Sequence, residues 1–105
     1  MNRELKRPKY LQKKKFDRMA KLVKDIYKYC SAGGIMHVVL DDGNFGDSTI
    51  EWTIDYAKKN KEETEQHIQD CIELCNLMLS IKECQRYWIW QKVYDTYGDI
   101  TGMGD

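Results

Sequence analysis

The side chains best suited to chemistry in this 105-residue chain are four cysteines and two histidines. His67, Cys71 and Cys75 recur at every fourth position, which sets an imidazole and two thiols on one helical face. Cys30 or Cys84 would complete a tetrahedral set of the kind zinc takes. The same thiols fall inside an apolar stripe and do not supply the two knuckles that structural zinc sites draw on. Free cysteine in such a stripe behaves as a small hydrophobe. The expectation is core packing, with no metal and no cofactor. A cysteine nucleophile would need an imidazole base, and only His37 and His67 exist to serve as one. Nothing in their spacing favours that role, so catalysis is not expected.

The most distinctive stretch is Gly33-Gly34-Ile35-Met36-His37-Val38-Val39-Leu40-Asp41-Asp42-Gly43-Asn44. Asp41, Asp42, Asn44 and Asp47 cluster oxygens that suit a divalent cation. They fail the calcium-loop pattern, because Gly46 and Asp47 stand where a ligand and a glycine are required. A structural reading is preferred. Asp41, Asp42 and Asn44 bond backbone groups of a turn, Gly43 supplies a positive φ, and His37 anchors the apolar run.

The stretch resembles a group of small proteins from bacteriophages and mobile elements. They share the glycine pair, the histidine, the apolar run and Asp-Asp-Gly-Asn. They continue with a helix like residues 47–56, then segments like Met78-Leu79-Ser80 and Gln85-Arg86. The likeness spans about residues 28–88. It implies an origin in a phage or prophage, and no particular reaction.

Charge is distributed unevenly. Residues 1–28 carry eleven Lys/Arg against three acids, whereas residues 29–105 carry six against fourteen. Arg3, Lys6, Arg7, Lys9, Lys13, Lys14 and Lys15 form a basic segment able to track phosphates, or simply a solvated tail. The acidic remainder suits the opposite role, mimicking nucleic acid in a basic groove. Five aromatics fall within eleven residues, Tyr87 to Tyr97, more than one buried helix face can hold. Arg86, Trp90 and Tyr94 are one turn apart and define a ridge for a partner protein or a second copy.

Few elements are needed to position these groups. The spacing predicts a basic arm over 1–12, one helical domain over 13–97 and a glycine-rich tail over 98–105. Phe16, Met19, Ala20, Val23, Ile26, Tyr27 and Cys30 mark the first helix, leaving Lys14, Lys21, Lys24 and Lys28 outside its stripe. Ile35–Leu40 reads as a short strand or hairpin near 35–45. Capping boxes at Ser48-x-x-Glu51 and Ser80-x-x-Glu83 open the second and fourth helices. The third covers about 62–79. The fold class expected is mainly α, a compact bundle of about four helices.

No apolar run reaches membrane-spanning length and no export signal is visible, so a cytoplasmic protein of a bacterial host cell is expected. The leading functional expectation is a phage-derived, non-enzymatic protein that engages a host macromolecule, such as a defence nuclease, in the manner of an anti-CRISPR inhibitor. The alternative is a nucleic-acid-binding regulator acting through the basic arm and first helix. A metal- or thiol-dependent enzyme comes third.

Overall fold

The structure is a computed structural model that describes residues 10–29 and 34–101. It is mainly α, with five helices and no strand among the described residues. Helix α1 (Tyr10–Tyr29) begins three residues before the predicted start at Lys13. Its predicted stripe is buried from Phe16 to Tyr27, and Leu22 is buried with it. Leu22 widens the stripe because α1 is held on two sides, by α3 (Glu65–Leu79) and α5 (Trp88–Tyr97). Arg18 reaches Glu73 and Lys15 reaches Ser80, so α1 and α3 run antiparallel.

The expected strand near 35–45 is instead helical. Gly34–Met36 forms a 3-10 turn, and His37–Asp41 forms a wide turn in which the Asp42 amide donates to the His37 carbonyl at 3.1 Å. Ile35, Met36, Val39 and Leu40 are buried while His37 faces solvent. Burial in adjacent pairs four residues apart is a helical pattern, not the alternation a half-buried strand would show. A lone strand would also leave its backbone groups without partners. Gly43 ends the segment at φ +72°, the left-handed conformation expected of Asp-Gly.

Helix α2 (Asp47–Lys59) buries Ile50, Thr53 and Ala57, with Ile54 partly covered. Its N-cap is Gly46, and the expected Ser48–Glu51 box is absent, because the helix has already begun by Ser48. Asp47 supplies the acidic first turn and Lys58 and Lys59 the basic last one, as the helix dipole favours. Helix α3 is capped by Thr64, whose hydroxyl accepts from the His67 amide. The predicted fourth helix is two: α4 (Glu83–Arg86), one turn long, and α5 after a break at Tyr87. Ser80 does not cap α4. Its hydroxyl donates back to Leu77, and the Gln85 side chain accepts from the Lys82 amide instead. No described helix is long and apolar enough to cross a membrane.

Candidate functional site

Helix α3 places the thiol and imidazole candidates inward. His67, Cys71 and Cys75 are all buried. His67 Nε2 lies 3.7 Å from Cys71 Sγ, and the Cys75 thiol points at Met36 Sδ, 3.6 Å away. Burial pushes the Cys75 thiol up to about 12, so it stays protonated at neutral pH. Among the described residues no three His, Cys, Asp or Glu side chains converge as a metal site would require. Cys30 lies outside the described residues, and Cys84 is exposed on α4. His67 Nδ1 is buried without a hydrogen-bond partner among the described residues. The face that spacing predicts is real, and it is packed in the core.

The 33–44 motif buries most of its apolar residues and turns His37 and residues 41–44 to the surface, with Gly33 outside the described residues. The Tyr27 hydroxyl donates to Asp41, and His37 Nδ1 lies 3.0 Å from the other Asp41 oxygen. Asp42 flanks His37 Nε2 at 3.8 Å. Asn44 accepts from the Gly46 amide at 3.3 Å, a side-chain turn that leads the chain into α2. His37 is therefore an exposed partner of two aspartates. Tyr27 was legible only as a core position. That it joins Asp41 depends on the turn folding back over α1, which local spacing does not encode.

The expected ridge does not form an open surface. Arg86 is buried, 3% exposed. Its guanidinium donates to the carbonyls of Met78 at 2.6 Å, Phe45 at 2.7 Å and Ile81 at 3.1 Å, and pairs with Asp47 at 2.7 Å. A cation engaged in this way fastens the end of α3, the loop before α2 and α4 together. Trp90 is half-buried, edge-on to Tyr27, with its indole N–H donating to the Leu40 carbonyl at 3.3 Å. Of the three, only Tyr94 is open to solvent. Trp88 is half-buried too. Their aromatic type gave no means of telling a fastening role from a binding one.

The basic residues fare differently. Arg3, Lys6, Arg7 and Lys9 lie outside the described residues, while Lys13, Lys14 and Lys15 stand on α1. At 100° per residue, Lys13, Lys14, Arg18, Lys21, Lys24 and Lys28 fall within an arc of about 140°. Asp17 and Asp25 are the acids within that arc, and both are engaged: Lys13 and Lys92 hold Asp17, and Lys21 holds Asp25. Arg18 forms a two-pronged pair with Glu73, 2.8 Å at each prong. Lys14, Lys24 and Lys28 have no carboxylate partner among the described residues, and Lys24 lies over the Tyr97 ring at 5.2 Å. An open groove of about 500 Å³ between α1 and α3 is lined by Arg18, Gln66, Asp70, Glu73 and Asn76, and its one cation is committed to Glu73.

Comparison of the chain with protein-family models, curated proteins and solved structures gives no match in any of the three.

Proposed function

We propose that this is a small phage-derived, non-enzymatic binding protein, and that the outer face of α1 is its binding surface, with nucleic acid as the ligand. The observation that carries the reading is the arc of six cations on α1, three of them free of carboxylate partners among the described residues. From Lys14 to Lys28 the face runs about 21 Å, long enough to follow several phosphates. The arm that precedes α1 in sequence adds Arg3, Lys6, Arg7 and Lys9. Exposed lysines of this kind recognise backbone charge and not base sequence, so a sequence-tolerant binder is the form expected.

Fluorescence anisotropy with duplex DNA, single-stranded DNA and RNA tests the reading. Affinity should fall steeply with salt, because each neutralised phosphate releases a counterion. Replacing Lys14, Lys24 and Lys28 with Glu should abolish binding at moderate salt and leave the helical circular-dichroism signal unchanged. Absence of binding by the wild-type chain at low salt would end it.

The second reading keeps a host protein as partner and draws on the acidic remainder of the chain, residues 29–105. It predicts that deletion of residues 1–9 is tolerated and that the lysine reversals leave partner binding intact.

A further inference from the structure

Helix α2 turns two large aromatics outward. Trp52 is 55% exposed and Tyr56 46% exposed, yet both are ordered against each other, with ring centroids 5.3 Å apart and planes within 6°. The pair sits one helical turn apart, on the flank away from Ile50, Thr53 and Ala57. Each ring holds the other in place, so a partner that covers them pays little ordering entropy. Among the described residues, neither ring belongs to the core or packs against it.

We infer that this flank is where two copies of the chain meet, with Trp52 of one copy packed on Tyr56 of the other in an antiparallel α2–α2 contact. The charge order of α2 selects this occupant. Asp47, Glu51 and Asp55 occupy the first nine residues of the helix, and Lys58 and Lys59 close it. Asp47 is engaged by Arg86, so phosphates approaching the rings would meet Glu51 and Asp55, which disfavours a nucleic acid stacking there. An antiparallel second copy instead brings the basic end of each helix towards the acidic part of the other. With the twofold axis near residue 55, Trp52 and the partner's Tyr56 are offset by about 3 Å along the helix. Lys59 and the partner's Asp55 are then offset by about 6 Å, within reach of a lysine side chain. Two aromatics and their neighbours make a patch well below the roughly 800 Å² per partner of a stable interface. The dimer is accordingly weak and forms at high protein concentration. It uses none of the α1 cations, so it stands or falls independently of nucleic-acid binding.

Sedimentation equilibrium of the full chain, from micromolar to millimolar, tests the contact. A reversible monomer–dimer equilibrium is expected. Trp52→Ala should weaken it about tenfold or more, as loss of an interface tryptophan does, with circular dichroism unchanged. Lys59→Glu should also weaken it, and adding Asp55→Lys to the same chain should restore association. A single monomeric mass at millimolar concentration overturns the inference, as does a dimer indifferent to Trp52→Ala. Failure of the charge swap to rescue overturns the antiparallel arrangement. A monomer whose Trp52 fluorescence is quenched by single-stranded DNA would give the flank to base stacking instead.

Discussion

Arg18 and Arg86 are both held by carboxylates at close to the same distance, and they do opposite jobs. Arg86 pairs with Asp47 at 2.7 Å and is 3% exposed, with three backbone carbonyls taking its other donors. Arg18 meets Glu73 at 2.8 Å on the surface of α1 and α3, with about half of its side chain in water. The Arg86 guanidinium itself is closed off from solvent, although Asp47 beside it is open to water. Around Arg18 water competes for every donor. The difference teaches that a cation's worth in this protein is set by what surrounds it, and the pairing distance says little. It also separates the region that holds the fold, where the loop before α2 meets α4, from the proposed binding surface on the outer face of α1.

The sharpest way to break that contrast is to remove Arg86. Arg86→Ala leaves the Phe45 and Ile81 carbonyls without their side-chain donor and the Met78 carbonyl with only its backbone one, while Asp47 returns to water. It should cost about 2–5 kcal/mol, at about 1–3 kcal/mol for each buried acceptor stripped of its donor. Urea denaturation of the purified variant reads it directly. A variant as stable as wild type would place Arg86 back among the binding residues.

That role was not legible in the sequence. Arg86 lies one turn before Trp90, and on a helical wheel the two share a face with Tyr94, which is a reasonable ridge. Its acceptors come from residues 45, 78 and 81, brought together only by the meeting of three segments. What the sequence does announce is periodic. The α1 stripe, the inward face of α2, the buried His67-Cys71-Cys75 line and the positive φ at Gly43 all follow from spacing within one element. The run 35–40 misled because β-branched residues and flanking glycines suggest a strand. Burial in pairs, fixed by packing against α2 and α3, made it helical. The candidate binding face was half legible. Lys14, Lys21, Lys24 and Lys28 fall outside the apolar stripe, but which of them lack a carboxylate depended on which lysine the one neighbouring acid, Asp25, turned towards, and spacing does not decide between Lys21, Lys24 and Lys28.

A smaller test compares buried with exposed bonding inside one loop. Arg86 holds residue 45 from within, while Asn44 accepts from the Gly46 amide at the surface. Asn44→Ala should lower stability by only about 0.5 kcal/mol, since water replaces the lost bond. A loss comparable to that of Arg86→Ala would mean that the exposed turn, and not the buried guanidinium, organises the loop.

The least effect, and the one most sensitive to conditions, belongs to the surface pairs. The hydrogen bond from Arg18 holds the Glu73 carboxyl below its ordinary value, against a smaller upward push from burial. A hydrogen bond from Lys92 does the same to Asp17. A carboxylate lowered on folding adds stability that is fully present above its unfolded value. That stability is lost as the pH falls through the lower folded value. The denaturation midpoint should therefore be flat near neutrality and decline on acidification below about pH 5, where carboxylates begin to take up protons. Side-chain exposures of 43% for Glu73 and 46% for Asp17 leave both pairs screened, so the decline should be shallow and should shrink with added salt. Glu73→Gln removes one of the two titrating groups, and its acid limb should be flatter than that of wild type at low salt. An acid limb unchanged by Glu73→Gln would show that the pair contributes no pH-dependent stability. Arg18 would then be as free for phosphate as Lys14, Lys24 and Lys28, and the binding face would gain a fourth unpaired cation.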